Sequence, residues 1–575
     1  GGMPKKKLTP VFKEYTQGQI VLLPRDLEEE IEPNHLVRVV NAAIEKMDLQ
    51  VLYAQYKGGG TSSYHPKMLL KVLIYAYSQQ IYSSRKIAKA LRENIHFMWL
   101  SGNSQPDFRT INRFRGVVVK ETIGEIFAAV LRILIEGGYV KLEHYFVDGT
   151  KLEANASKYS FVWAKNTKRY KEQVQGKVAE LLEQIEQLNA GEDAEYGDQD
   201  LPERGGSKPL DAAQLEAKIH ELNERLRQMP QREKPADPPS GGDPPQGANE
   251  PHSGGSETAS VETVSSQAAE GQPKGNKRKQ RHKTKAQQLA KEIQQLAEEY
   301  LPRLKKYEEQ EAVLDGRNSY AKTDHDATFM RMKEDHMQNG QLKAGYNIQI
   351  GTEDQFVVGF SLHRRPGDPG CLIPHLEETK VQRGGRQPQK AIADSAYGSE
   401  ENYAYLEKEG IEAFVKYNTF HQETKPRHQP DPFAAENMPY AEAQDAFTCP
   451  NGKLLRYKTT HRHRTDNGFK SERRIYVCEE CSQCPFMQQC KKTDGNRQIR
   501  VSFRLREMRA QAKEKLLSEQ GTALRKQRSI DVETVFGRIK QDWGFRRFLL
   551  RGLNKVKTEW GLLCIAHNLA KLAIA

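Results

Sequence analysis

At 575 residues the chain is too long for one hydrophobic core, so several domains or one domain carrying large insertions are expected. Its formal charge of +12 belongs to a chain also rich in acids, and the excess gathers over residues 525–557, a pattern that suits a polyanion because neutralised phosphates release counterions. No apolar run has the length a membrane span needs and no signal-peptide core follows Met3-Pro4-Lys5-Lys6-Lys7, which argues against a membrane partner and for a cytoplasmic protein.

The first segment, to about residue 116, reads as helical. Met68, Leu69, Val72, Leu73, Tyr75, Ala76 and Tyr77 recur at helical spacing behind Pro66, which a first turn tolerates. Ser83-Ser84 can cap a short helix to 91, and Pro106-Asp107 starts another to 114. Two short helices about a turn, the second carrying Arg109, Asn112, Arg113 and Arg115, fit a helix-turn-helix-like DNA reader, and a plain helical bundle with a basic surface fits equally well.

From Lys141 the period becomes that of strands. Tyr145-Phe146-Val147-Asp148-Gly149 is an apolar strand ending in an acid. Residues 346–350 and 356–362 resemble a hairpin about Gly351-Thr352-Glu353-Asp354, and 391–394 and 411–415 are further strands of a mixed sheet. The sheet is interrupted between about 160 and 322. Val174, Val178, Leu181, Leu182 and Ile185 at one end, with Leu289, Ile293, Leu296 and Leu301 at the other, predict an antiparallel helical pair. The Pro-, Gly-, Ser- and Gln-rich residues 231–280 between them predict disorder. The chain ends helical: Val532, Val535, Phe536 and Ile539 form a stripe, and Trp560, Leu563, Ile565 and Leu569 a buried last helix. The expected division is a helical DNA-binding domain at 1–125, a sheet core split over 126–160 and 322–425, the helical insertion 161–321, a cysteine-rich insertion 426–500, and C-terminal helices 501–575.

Phosphodiester cleavage needs divalent cations to activate one oxygen and stabilise another, and hard cations want carboxylates. Asp148 stands at a strand's exit with a flexible glycine beside it, and Asp394 ends another apolar run. Strand ends of this kind bind ligands, although an Asp that merely starts a turn gives the same pattern. Glu533 lies beside the last apolar stripe, with Lys540 two turns on along the same face at ~3.6 residues per turn. An exposed ion-pair helix would look the same. Asp324 and Asp326 rival Asp394 but follow no apolar strand. Five of the seven cysteines fall between Cys449 and Cys490, and in a reducing compartment their C-x-x-C pairs predict tetrahedral zinc rather than disulfides. Five candidates exceed four ligands, and His461 and His463 could substitute. Cys371 and Cys564 read as core or surface thiols.

Tyr145-Phe-Val-Asp-Gly-Thr-Lys-Leu-Glu-Ala154, Ala393-Asp-Ser-Ala-Tyr-Gly398 and Glu533-Thr-Val-Phe-Gly-Arg-Ile-Lys540, the last followed by Phe545-Arg-Arg-Phe548, resemble the three acidic blocks of DDE transposases. More narrowly, the chain resembles the eleven-eighty-two family of bacterial insertion sequences, within the IS-four-like group. Ser63-Tyr-His-Pro-Lys-Met-Leu-Leu-Lys71, Pro106-Asp-Phe-Arg-Thr-Ile-Asn-Arg-Phe-Arg115 and Thr323-Asp-His-Asp-Ala-Thr-Phe-Met330 are similar to that family's blocks. The resemblance implies an α/β fold with an RNase H-like core, a mixed sheet with flanking helices, and Asp148, Asp394 and Glu533 as ligands of a pair of magnesium or manganese ions. It implies hydrolysis at a transposon end and then attack of the freed 3′-hydroxyl on target DNA. The implied partners are double-stranded DNA, as terminal inverted repeats and target, and a second copy in a homodimer on that DNA, at the bacterial nucleoid.

Related transposases place an Arg four positions before the glutamate and a Lys after it. Here Ser529 holds the first position with Arg528 one place earlier, and Lys540 keeps its place. Lys540 is the expected phosphate contact, and Arg528, Arg538, Arg546, Arg547, Arg109 and Arg113 are further DNA-binding candidates. Cys449, Cys481, Cys484 and Cys490 are closest to the family's pattern for zinc, with Cys478 the alternate. A non-catalytic DNA-binding protein and an RNase H-like nuclease that cuts without joining are the other readings.

Overall fold

The structure, a computed structural model, describes residues 26–56, 63–193, 209–229, 284–332, 340 and 342–575. Residues 231–280, expected to be disordered, lie outside the described residues. The chain divides into two compact units, one formed by the described residues up to Trp163 and from Leu314 on, the other by Ala164–Val313.

The larger unit is mixed α/β. Strands β1 (His144–Glu153), β2 (Thr328–Arg331), β3 (Leu342–Glu353), β4 (Phe356–His363), β5 (Lys390–Ala393) and β6 (Glu412–Val415) make one sheet. β1 is central: it runs antiparallel to β3 on one side and parallel to β5 on the other, and β6 extends the parallel half. β2 and β4 share the far edge of β3. The parallel strands are short and apolar because they are covered on both faces, with Ala391, Ile392, Ala393, Phe414 and Val415 all buried.

The β3–β4 hairpin is tighter than the sequence suggested. Its loop is Asp354-Gln355, both left-handed at φ 50° and 62°, a two-residue turn whose twist matches that of the strands. Gly351, Thr352 and Glu353, expected in the turn, stay in β3. Glu353 is the physical reason: its buried carboxylate accepts the backbone N–H groups of Lys141, Leu142, Glu143 and His144 at 2.7–2.9 Å and so fixes the entry of β1.

The helix Pro66–Ser78 begins at Pro66 as expected, but it is buried without a break from Leu69 to Ser78 rather than on one face. Its Lys71 ammonium meets Asn41 Oδ1 at 2.6 Å and the Glu45 carboxylate. Helices Ser84–Glu93 and Phe108–Arg113 occupy the positions read from the sequence, with a further short helix, Ile95–Leu100, between them. Phe108–Arg113 does not stop at 114: a π-turn, Phe114–Val119, carries it into Lys120–Glu136. Arg115 is therefore no DNA-reading side chain. It is buried, donating to Tyr77 Oη (3.1 Å) and to the Tyr82 carbonyl (2.7 Å), while Arg109, Asn112 and Arg113 are exposed. The last helix, Leu553–Leu572, is buried on all sides, as read from Trp560, Leu563, Ile565 and Leu569, and packs on Pro66–Ser78, Lys120–Glu136 and β4. The N-terminal helices and the sheet thus share one core.

Between β6 and the C-terminal helices a second, antiparallel sheet is built from Tyr440–Ala441, Ala446–Thr448, Leu454–Arg464, Lys470–Cys478 and Gln498–Val501, around Phe447, Leu455, Tyr476 and Ile499. The smaller unit corrects an expectation. Among the described residues it holds three helical runs rather than a pair: Ala164–Asp193, Ala212–Gln228 and residues 285–313. The missed helix has only Ala212, Leu215, Ile219 and Leu222 on its buried face, among many charges, and starts at an Asp211–Gln214 capping box. No helix among the described residues is long and apolar enough to cross a membrane.

Candidate active site

Asp148 lies inside β1, not at its exit, because the antiparallel ladder with β3 runs on to Glu153. What ends near Asp148 is the parallel pairing with β5, whose last partners are Phe146 and Ile392. Asp148 therefore stands where the parallel half of the sheet opens. Asp394 follows β5 directly and caps a short 3-10 turn through the Ala396 N–H (2.9 Å). The two acids share one end of two neighbouring parallel strands.

Glu533 comes to the same place from far along the chain. The residues Ser529–Glu533 form a π-turn between the helices Glu519–Arg528 and Thr534–Gly537, seated by Val532, Val535 and Ile539, which are fully buried. Asp531 anchors this turn, accepting from Thr352 Oγ1 (2.6 Å) and the Gln355 N–H (3.0 Å), and burial raises its carboxyl above the usual range. Glu533 itself points outward, its side chain 62% exposed.

Arg528 joins the acids. Its Nη1 lies 3.6 Å from Asp148 Oδ2 and its Nη2 lies 3.9 Å from Glu533 Oε1. One guanidinium thus spans two carboxylates that are distant in sequence. It is buried, and its Nε and Nη1 have no hydrogen-bond partner among the described residues. An arginine so placed holds positive charge between the carboxylates at the cost of unmade hydrogen bonds. The π-turn also explains the register. A π-turn carries one more residue than an α-turn, so a residue five positions before Glu533 faces it as a residue four before would in an α-helix. Arg528, one place early by the sequence pattern, is the residue that faces Glu533.

Lys540 is buried, and its Nζ donates to Thr150 Oγ1 (3.1 Å), two residues past Asp148 on the same face of β1. Arg538 is half-buried over the Trp543 ring, with burial lowering its pKa. Arg546 and Arg547 are exposed, and Arg547 donates to the Ala154 and Ala156 carbonyls (3.2 Å each). Asp324 and Asp326 do other work: Asp324 accepts from Tyr346 Oη (2.9 Å) and the Gly552 N–H (3.1 Å), and Asp326 accepts the Leu553 N–H (2.8 Å). Both stand at the N-terminus of the last helix, where a carboxylate offsets the helix dipole.

Sequence reading missed two groups here. Lys416, at the exit of β6, is half-buried; its pKa is lowered by burial and by Arg528 and Arg525, against the pull of Asp394 and Glu533. It lines an open cleft with Asp394, Asn418, His421 and Arg525. The second group lies beneath Asp148. Tyr397 Oη donates to Gln349 Oε1 (2.5 Å), and Gln349 Nε2 and Asn347 Nδ2 both donate to Asp368 Oδ1 (3.1 and 2.8 Å). Burial, and then Asp368, Asp148 and Asp394, push the Tyr397 hydroxyl well up. Asn347 and Gln349, polar at alternate positions between Tyr346, Ile348 and Ile350, were the available signal.

Cys449, Cys478, Cys481, Cys484 and Cys490 line one small pocket with Phe433, Phe486 and Arg497. All are free thiols. The Arg497 N–H donates to Cys481 Sγ (3.3 Å), and the Cys478 thiol, pushed up to about 12 by burial, donates to the Glu480 carbonyl (3.6 Å). Cys371 and Cys564 are buried in the core. Among the described residues no three His, Cys, Asp or Glu side chains converge closely enough to hold a metal ion.

Residues 448–573 match a family described as Transposase DDE domain, and residues 25–116 match one described as Transposase domain (DUF772). Glu533, Arg528, Lys540 and the five clustered cysteines fall inside the first match; Asp148 and Asp394 lie outside both. No curated protein and no solved structure matches the chain.

Proposed function

We infer that this chain, an insertion-sequence DDE transposase by its two family matches, cuts and rejoins DNA strands at a site made by Asp148, Asp394 and Glu533. The observation that carries this reading is the Arg528 guanidinium shared between Asp148 and Glu533, which pins together acids from the central strand and from a C-terminal helix. The strand order β4-β3-β1-β5-β6, antiparallel up to β1 and parallel after it, supports an RNase H-like core.

The donor types suit a hard divalent cation, since all three are carboxylates, and two of them, Asp148 and Glu533, already share the Arg528 guanidinium. Asp148, Asp394 and Glu533 would hold magnesium or manganese, which when bound activates an attacking oxygen and stabilises a leaving one. The chain's own contribution is positioning and charge. Lys416, Arg525 and Arg528 put cations around the acids, where a transferring phosphoryl group needs neutralisation in a site of low dielectric. Lys540, tied to Thr150, holds an ammonium beside the same face of β1. Exposed Arg546, Arg547, Arg109 and Arg113 are available for the duplex, and a homodimer would bring two ends together.

The test is strand cleavage of duplexes carrying the element's own ends, with magnesium. Asp148→Asn should lose cleavage by roughly 100-fold or more, the scale of removing one essential charge-stabilising group, while still binding the duplex. Equal cleavage by the two proteins would overturn the assignment. Strand-transfer products separate a transposase from a nuclease that only cuts.

For the cysteine cavity we propose structural zinc. Five thiols on one cavity and an amide donating to Cys481 sulfur are the support, since backbone N–H groups stabilise metal-bound thiolate. Metal analysis of protein purified without added zinc should find roughly one zinc per chain, as one four-ligand site requires, and Cys481→Ser should lose it. A folded, metal-free wild-type protein would remove the proposal.

A further inference from the structure

The two longest strands of the cysteine-bearing sheet, Leu454–Arg464 and Lys470–Cys478, pair from Leu455 with Cys478 to Arg464 with Lys470. Only their base belongs to a core, through Leu455, Tyr476 and Cys478. From Thr459 to Arg473, Ser471 alone is buried. Sheets do not normally leave such a ribbon bare on both faces without a use for it.

Its surface is strongly cationic. Arg456, Lys458, Arg462, Arg464, Lys470 and Arg473 are all exposed, against the exposed acids Asp466 and Glu472. Arg456 pairs with Glu479 and Arg462 with Glu472, both exposed pairs of little energetic worth. Lys458, Arg464, Lys470 and Arg473 have no ion-pair partner among the described residues. Cross-strand like charges such as Arg464 and Lys470 destabilise a ribbon unless an anion lies against them.

The ribbon's tip is tied down. Thr465 Oγ1 donates to Glu401 (3.1 Å), Arg365 Nη1 donates to Asn467 Oδ1 (3.1 Å), and Asn467 Nδ2 donates to the Gly370 carbonyl (3.4 Å). The loop that holds it, from Arg365 to Gly370, carries Asp368, whose Oδ1 would lie 2.9 Å from a Cβ at Gly149. The ribbon is thus held at its base by the core and at its tip by this loop, which meets β1 on the face of Gly149, opposite to that of Asp148 and Thr150.

We propose that this ribbon is a second contact surface for duplex DNA, gripping phosphates of the same duplex away from the bond presented to Asp148; the inference rests on the DNA-cleaving reading above. A two-stranded ribbon fits the major groove of a duplex, and lysine and arginine side chains on both faces can reach the phosphates on either side. Such contacts fix register and orientation rather than read sequence.

The test compares the full chain with the combined variant Lys458→Gln, Arg464→Gln, Lys470→Gln and Arg473→Gln, binding a duplex across a salt series. A control variant, Lys218→Gln, Arg225→Gln, Arg227→Gln and Lys305→Gln, removes the same charge from the Ala164–Val313 unit. Four lost phosphate contacts should make the slope of log affinity on log salt less steep by about 3 to 4, in the ribbon variant only, with unchanged thermal melting because all four side chains are exposed. A ribbon variant with the wild-type slope overturns the inference, and so does an equal loss in the control, which would mark bulk charge alone. If Asp148→Asn cleaves like wild type while the ribbon variant binds weakly, the catalytic reading falls and the ribbon stands. A wild-type chain that binds no duplex removes both.

Discussion

Gly149 follows Asp148 and, read from the sequence, offered a flexible turn. The structure gives it a different task. It sits inside β1, and a Cβ there would lie 2.2 Å from Gln349 Nε2 and 2.9 Å from Asp368 Oδ1. Gln349 cannot easily step aside, because Tyr397 Oη and Asn347 Oδ1 hold its amide from two sides. Gly149→Ala should therefore destabilise the fold by about 1–3 kcal/mol, the usual range for overpacking a filled site, read as a lower urea midpoint at an unchanged slope. Combining it with Gln349→Ala should recover most of that loss, since the obstructing amide is gone. A Gly149→Ala protein as stable as wild type would show that the network yields. Asp148 and Asp394 were legible as acids after apolar runs. The polar network beneath them was not, because its members look like isolated lapses in strand alternation until the strands are placed side by side.

At the scale of the element, the turn that carries Glu533 decides which arginine matters. Counting in α-helical steps put Ser529 opposite Glu533 and left Arg528 a place out. Five residues, Ser529–Glu533, are wound as a π-turn, and this moves Arg528 onto the face that Glu533 and Asp148 share. No periodicity in the sequence announces a π-turn, since the apolar stripe of Val532, Val535, Phe536 and Ile539 satisfies an ordinary helix just as well. The exchange Arg528→Ser with Ser529→Arg keeps composition and charge while moving the guanidinium to the position the α-helical count favours. It should lose cleavage, as Arg528→Ala should, because Asp148 and Glu533 are no longer bridged. Full activity in the exchanged protein would mean that the turn unwinds to an α-helix during function, and the argument from the π-turn would be lost.

On the scale of the whole molecule, the sequence told more about strands and the last helix than about what lies between them. Apolar runs ending in acids located β1 and β5, and a densely apolar C-terminal stretch located the helix Leu553–Leu572. The insertion was misread because Ala212–Gln228 buries so little that its charges mask its period. Its points of departure and return are nevertheless definite. The chain leaves the larger unit after Phe161–Trp163 and re-enters it through Ser319–Ala321, two strands paired antiparallel with Trp163 opposite Ser319. Ends already held side by side need little chain to join them, and closing a short loop costs little entropy. Replacing Ala164–Val313 by a short Gly-Ser linker should leave the larger unit folded, because the hydrophobic cluster of Val178, Leu215, Ile219 and Leu296 belongs to the smaller unit alone. The expected result is a monodisperse protein with one cooperative melting transition that retains the Asp148-dependent chemistry if the smaller unit takes no part in it. Aggregation of the shortened chain, with Asp148 and Glu533 intact in sequence, would show instead that the smaller unit is needed for the core to form.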